Sequence, residues 1–459
     1  MPRGGYLAAG DDQHQRVAGG PFALYTRPAV TPKTSLHAAP LVGESRVLQS
    51  VSPWDCLWAA RDQAAAKAAF AWESPGGERL AGLGAAATIR AAGGGRFTDA
   101  RDHVAAALRG AELRGDAPER FPGAIAIGGF AFAEESGRAA GWPGFADAWF
   151  TVPELVWWQA PYGPTIETTW SGSAAREDGD AVSPRPDSSP IWSRADWTRA
   201  VREILARIGA GELSKAVLAR CVETDLPLGA HPVDLLKTLR EDHPGCYRFL
   251  LADGRGNAFL GASPERLIRL ADDEVFADAV AGTTRRGSTS QEDRSRAESL
   301  SQSAKDRSEH EAVLRHIQEA LRPTCISLQS PDQPEVMTLR HMLHLRTPVR
   351  GLAREGSHVL DLLALLHPTP AVAGRPCDRA LTLIRELEPS ARGWYAGPIG
   401  WVNARGEGDF AVGIRSVSVR GGRARLFAGA GIVSGSDPEL EWNETELKMR
   451  PILDAIARD

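Results

Sequence analysis

Long apolar runs are missing from this 459-residue chain. None approaches the ~20 residues that a helix needs to cross a bilayer, so no membrane span is expected. Cysteine is sparse. The five cysteines, Cys56, Cys221, Cys246, Cys325 and Cys377, are scattered, odd in number and free of any Cys-x-x-Cys. That argues against a zinc site and for reduced thiols in a cytoplasm. A metal would have to be bound by carboxylates. No basic block occurs and the net charge is −5, which removes the electrostatic reason to expect nucleic acid. The opening Met1-Pro2-Arg3-Gly4-Gly5 lacks the apolar core of a secretion signal. What is present, 43% hydrophobic and 24% charged residues, is the composition of a globular chain that can bury a substantial core.

The first twenty residues are polar and glycine-rich and read as a loose leader. Residues 21–170 read as the N-terminal half of the fold, where from about Leu41 to Pro164 short apolar runs alternate with Gly and Pro. Arg79–Ala85 and Ala124–Phe132 read as strands, and Ala100–Leu113 as an amphipathic helix. Residues 171–190 are rich in Ser, Asp and Pro and read as a mobile linker or loop. In the C-terminal part, 191–459, the pattern predicts helices at Ser193–Ile208, Pro232–Arg240, Asp293–Leu321 and Asp361–Leu366. It predicts strands at Lys215–Leu226, Ile399–Asn403, Ala411–Val419 and Arg425–Phe427, and a hairpin pairing Tyr247–Leu251 with Ala258–Ala262. The irregular mixture with frequent hairpins favours an antiparallel α+β architecture over a doubly wound sheet. Neither Gly82-Leu-Gly-Ala-Ala-Ala nor Gly429-Ala-Gly-Ile-Val-Ser-Gly sits in a strand–turn–helix unit with a following acidic residue, so a dinucleotide site is not expected.

The densest chemistry lies near the C-terminus. Glu441, Glu444 and Lys448 fall at spacings of three and four, which projects all three from one helix face. The preceding Ala428-Gly429-Ala430-Gly431 reads as a glycine-rich turn able to turn backbone N–H groups toward an anion. Two carboxylates there suit Mg²⁺, a hard ion that keeps open positions for substrate; a solvated surface helix is the plain alternative. Glu309, within the long charged helix, is a candidate third carboxylate. Lys215 shares a strand face with apolar Val217 and Ala219, so it either snorkels to the surface or sits where its charge is disfavoured. Glu265 directly follows an apolar strand. Burial shifts a lysine toward a base and a glutamic acid toward a proton donor, so one dry cavity serves both. His344 and His367 read individually as packed or hydrogen-bonded side chains. Arg415, read as mid-strand among apolar residues, calls for a carboxylate partner, either protein or substrate.

In chain order, Lys215-Ala-Val-Leu-Ala-Arg220, Gly261-Ala-Ser-Pro-Glu-Arg266, Ala281-Gly282-Thr283, Ser303-Ala-Lys-Asp-Arg-Ser-Glu-His310, His367-Pro-Thr-Pro-Ala371, Arg392-Gly-Trp-Tyr-Ala-Gly-Pro398 and Glu441-Trp-Asn-Glu-Thr445 resemble the chorismate-utilising enzymes. The motifs run from about residue 195 to the C-terminus; the N-terminal half resembles the family only loosely. The resemblance implies a large two-sheet β-sandwich flanked by helices, with the site in a cleft of the C-terminal half. It implies Glu309, Glu441 and Glu444 as Mg²⁺ ligands that let chorismate's ring carboxylate be held. Tyr395, Arg415 and the Gly429 backbone would hold the enolpyruvyl carboxylate, and Lys448 would add positive charge. Thr283, His344 and Ala371 would also border the substrate. Lys215 would activate water for attack at C2, and Glu265 would protonate the departing C4 hydroxyl. Ammonia-using members carry glutamine where Lys215 stands, so water is the expected nucleophile and no glutamine amidotransferase partner is expected. Members that go on to eliminate pyruvate often carry threonine at the position of Ala371. The resemblance therefore favours an isochorismate synthase over a salicylate synthase, acting as a monomer or weak homo-oligomer.

Overall fold

Several strands of this chain are buried along their whole length rather than on alternate residues. Ala69–Glu73, Ile125–Phe130 and Tyr247–Ala252 are buried at every position. Such strands need cover on both faces. Two large sheets supply one cover for each other and helices supply the second.

The computed structural model describes residues 40–134, 142, 144–171 and 192–458. The expected leader and all of the expected linker except Ser171 lie outside the described residues. A twelve-stranded sheet runs in the order Gly374–Arg375, Lys215–Asp225, Arg423–Val433, Ser416–Arg420, Asn257–Ser263, Tyr247–Ala252, Ala69–Glu73, Arg79–Leu83, Leu155–Gln159, Thr165–Ser171, Val42–Leu48, Glu112–Gly115. Its pairs are antiparallel apart from the last, which is parallel. A ten-stranded sheet runs Cys325–Gln329, Met342–Ala353, Glu274–Arg285, Arg266–Ala271, Gly408–Val412, Pro398–Asn403, Ile125–Phe130, Ala148–Val152, Ala87–Ala91, with Glu335–Thr338 paired to Met342–Ala353. Strands of the two halves of the sequence are direct neighbours in both sheets. Phe70 stands opposite Leu251 in the first, and Ile127 opposite Trp401 in the second.

The space between the sheets is filled largely by aromatic rings. Phe70 of the first sheet meets Trp149 of the second with ring centroids 6.0 Å apart, and Phe145 sits edge-on to both Trp149 and Trp394. Such tilted and edge-on pairs add to simple area burial. Outside the first sheet, Val233, Leu236 and Leu239 of the helix Pro232–Asp242 and Met449 and Ile452 of the helix Pro438–Ile456 form a second core with the sheet's other face.

Several local readings change in three dimensions. The helix expected over Asp293–Leu321 is two helices, Ser290–Gln302 and Ala304–Leu321, divided at Ser303. Ser303 adopts an extended backbone and its hydroxyl accepts from the Asp306 N–H, so it caps the second helix instead of continuing the first. The helix expected at Ala100–Leu113 is Arg96–Leu108. The strand expected over Ala411–Val419 is two strands in different sheets, joined by Gly413-Ile414-Arg415. Arg415, at φ 52, is therefore in a crossover between sheets and not in mid-strand. The glycine-rich turn expected at Ala428–Gly431 is instead part of the long strand Arg423–Val433, paired throughout with Lys215–Asp225. Its two glycines are there because of close approach. A Cβ on Gly431 would lie 2.9 Å from Lys215 Cε, and one on Gly429 3.0 Å from Val217 Cγ1.

Candidate active site

Two long strands, one helix N-terminus and one helix face close around a cavity of about 290 Å³. Lys215 opens the strand Lys215–Asp225, and the bare backbone of Gly431 beside it leaves room for its side chain. Glu265 follows the strand Asn257–Ser263, where the chain leaves the first sheet for the second. The first turns of Ala304–Leu321 bring Glu309 to the wall, and one face of Pro438–Ile456 brings Glu441, Glu444 and Lys448. Thr283, His344, Ala371, Tyr395, Arg415 and Gly429 complete the set. All twelve residues singled out from the sequence line this one cavity.

The charges are mostly paired. Lys215 Nζ donates to Glu309 Oε1 at 2.6 Å. Burial pushes the Glu309 carboxyl up, but Lys215, with Lys448 and Lys305, more than offsets this and holds it below the usual glutamate range. Lys448 Nζ pairs with Glu444 at 2.6 Å and donates to the Gly429 carbonyl at 2.9 Å. Glu441 accepts from Ser436 Oγ at 2.7 Å, yet burial and then the neighbouring Glu444 charge push its carboxyl up.

Two groups stand apart. Glu265 forms no side-chain hydrogen bond or ion pair among the described residues, and burial drives its pKa up to about 8; Asp278 adds to this and Lys215, Lys448 and Arg415 oppose it. It is an acid that keeps its proton at neutral pH. Arg415 is 8% exposed and has no carboxylate partner among the described residues. Its Nη2 meets only Met342 Sδ and His344 Nε2, each at 3.5 Å. His344 is neutral, since burial and then the Arg415 and Lys448 charges lower its pKa to about 3. Its Nδ1 contacts Thr283 Oγ1 at 3.0 Å. A buried guanidinium facing a sulfur and a neutral ring lacks the anion its chemistry calls for. Tyr395 stacks on Phe427, centroids 5.2 Å apart, and burial raises its hydroxyl to about 12, so it keeps its proton.

Glu309, Glu441 and Glu444 are oxygen donors of the kind a hard cation takes, and the mutual repulsion of Glu441 and Glu444 is what such an ion would relieve. Among the described residues no three His, Cys, Asp or Glu side chains form a ready-made cage. An Mg²⁺ ion there would complete its shell with water and substrate oxygens.

Among the charged lining residues, the sequence reading gave no role of their own to Lys305, Asp306 and Arg392. Asp306 was within reach of helical spacing, three residues before Glu309. Arg392 carried no signal beyond its place in the Arg392–Pro398 motif, because only folding brings it to the wall.

A protonated buried acid, a lysine and an unneutralised arginine around one cavity suit acid–base chemistry on a small anionic molecule. The profile of the chorismate binding enzyme family matches residues 29–166 and 165–457, and the chain belongs to that family. It is 36% identical over 358 residues to the isochorismate synthase MenF of Bacillus subtilis, covering 73% of this chain and 75% of that protein. It is 41% identical over 289 residues to the salicylate biosynthesis isochorismate synthase of Pseudomonas aeruginosa, covering 62% of this chain and 58% of that protein. Among solved structures, the menaquinone-specific isochorismate synthase MenF of Escherichia coli superposes with a TM-score of 0.72 at 25% identity, covering 92% of this chain and 96% of that one. Anthranilate synthase component I of Streptococcus pneumoniae, at 21% identity and a TM-score of 0.63 over 96% of this chain and 100% of that one, shares the fold. The two-sheet α+β sandwich is thus the family's architecture.

Proposed function

We propose that the enzyme is an isochorismate synthase, which moves a hydroxyl group on chorismate by adding water at C2 and releasing the hydroxyl at C4. The observation that carries this reading is the pairing of Lys215 with a protonated Glu265 in one cavity. Water attack needs a proton acceptor on one side and a donor on the other, whereas ammonia needs no acceptor. Lys215 takes the proton from water as the C2–O bond forms. Lys215 can do this only as a neutral amine, so the ammonium that donates to Glu309 at 2.6 Å first gives up a proton. Glu265 gives its proton to the C4 hydroxyl, which leaves as water while the ring double bonds shift.

Arg415, Tyr395 and the Gly429 backbone hold the enolpyruvyl carboxylate, with His344 and Thr283 behind Arg415. Lys448 adds positive charge. Glu309, Glu441 and Glu444 would hold Mg²⁺, whose charge would let the ring carboxylate sit among glutamates that otherwise repel it. The reading places the enzyme in the cytoplasm, acting without an amidotransferase subunit. Among the described residues no helix is long and apolar enough to cross a membrane.

The test is to incubate the purified protein with chorismate, with and without Mg²⁺, and to identify products by chromatography with mass detection. Isochorismate formed only with Mg²⁺ is the expected result. Lys215→Ala should still bind chorismate but turn over at least roughly a hundredfold more slowly. Salicylate with stoichiometric pyruvate would make the enzyme a salicylate synthase. No turnover by the wild-type protein would make it a binding protein.

A further inference from the structure

Arg392 lines the cavity, yet its nitrogens are committed to the protein. Nε donates to the two Glu388 carboxylate oxygens at 3.1 and 2.9 Å. Nη1 donates to the Val372 carbonyl at 2.8 Å, and Nη2 to the Val217 carbonyl at 2.7 Å and to Glu388 Oε1 at 2.5 Å. Its guanidinium carbon lies 4.3 Å from the centroid of the Phe132 ring. Glu388 also accepts the Ala219 N–H at 2.8 Å. Phe132 is itself fixed, its N–H donating to the Gly393 carbonyl at 2.7 Å and its carbonyl contacted by His367 Nε2 at 2.9 Å. With these contacts Arg392 is not available to grip a substrate, unlike Arg415.

The node joins four segments that are far apart in sequence. Val217 and Ala219 belong to the strand that begins with Lys215, and Val372 follows Ala371 directly. Arg392 and Gly393 open the turn carrying Tyr395, and Phe132 comes from the N-terminal half. Replacing a buried ion pair by apolar packing often costs no stability, so stability alone does not account for the Arg392–Glu388 pair. A planar fork that fixes two carbonyls and a carboxylate does set distances.

We infer that Arg392 is a positioning residue that determines which product leaves: by locking the Lys215 strand to the Ala371 segment, it keeps isochorismate in a pose that disfavours loss of pyruvate. The inference rests on the isochorismate synthase reading. In the suppressed step the hydrogen on C2 moves to the methylene carbon of the enolpyruvyl ether as the bond from ring C3 to the ether oxygen breaks. The ring becomes aromatic, the products are salicylate and pyruvate, and no oxidant or reductant is required. That transfer needs C2–H and the methylene carbon in line, which makes it sensitive to small displacements of the wall.

The experiment compares wild type with Arg392→Lys, which keeps the charge but not the fork, and with Phe132→Leu, which removes the ring beneath it and leaves the fork's hydrogen-bonding groups in place. Isochorismate, salicylate and pyruvate are quantified from chorismate with Mg²⁺, beside kcat, KM and the thermal midpoint. Arg392→Lys should lower kcat by up to roughly a hundredfold and raise pyruvate per turnover several-fold. Phe132→Leu should shift both in the same direction by less, and it alone decides if Arg392→Lys does not fold. Unchanged pyruvate per turnover would overturn the inference, whether or not turnover falls with the folded fraction. Wild type giving no isochorismate defeats the functional reading itself; wild type giving isochorismate beside an unshifted variant defeats only the role of Arg392.

Discussion

Glu73 and Glu265 are both buried glutamates, one ending the strand Ala69–Glu73 and the other just past Asn257–Ser263, with one strand of the twelve-stranded sheet between those two, yet their surroundings are opposite. Glu73 is ringed by arginines: Arg79 at 2.9 Å, Arg240 at 3.0 Å and Arg248 at 2.9 Å. Burial raises its carboxyl, but Arg248 and the other two overcome that and hold it low. Glu265 has no such partner and is pushed up to about 8. Their arginine neighbours differ in the same way. Arg248 donates to Glu73 and to the carbonyls of His243, Pro244 and Cys246, whereas Arg415 has only a sulfur and a neutral imidazole. Around Glu73 every charge is answered, which holds the frame. Around Glu265 charges are left unanswered, and that is where chemistry is available.

Breaking the first region should have the largest effect. Glu73→Ala leaves the buried Arg248 without its carboxylate and should cost about 3–5 kcal/mol of stability, read from denaturant midpoints. Turnover per folded molecule should stay near that of wild type; a selective loss of kcat at full folding would erase the contrast. Next comes Glu265→Gln, which should lower turnover at least roughly a hundredfold, about 2.7 kcal/mol of barrier, with an equal or higher thermal midpoint because an ionisable group leaves a dry site.

The pH dependence is the finest probe. Glu265 must be protonated to act, so turnover should fall above about pH 8, and this limb should vanish in the residual activity of Glu265→Gln. The folded carboxyl binds its proton more tightly than the unfolded one, whose ordinary value is 4.5. Its contribution to stability is therefore complete below about 4.5 and is lost as pH rises through about 8. Asp409, also buried and pushed up to about 6, acts in the same direction over a lower range. The difference between wild type and Glu265→Gln isolates the Glu265 part, and a difference independent of pH would mean that Glu265 is already ionised.

Local pattern alone made much of this molecule legible. The helix Pro438–Ile456 was readable because Glu441, Glu444 and Lys448 repeat at three and four residues, a spacing that survives any packing. The hairpin Tyr247–Ala252 with Asn257–Ser263 was readable because its turn residues and apolar runs are contiguous. The misread segments share another property, in that their conformation depends on distant chain. Gly429 and Gly431 resemble a turn until Lys215–Asp225 is laid beside them, and Arg415 resembles a mid-strand residue until the two sheets it connects are known.

The sequence by itself determined which residue types meet: a lysine, an acid, three carboxylates and an arginine, each within a short motif. Only the tertiary structure decided their states. Protonation and partner choice depend on what lies within a few ångströms, and here those neighbours come from segments up to hundreds of residues away. Thus Lys215 answers to Glu309, Arg392 answers to Glu388, and Glu265 and Arg415 are left without a partner.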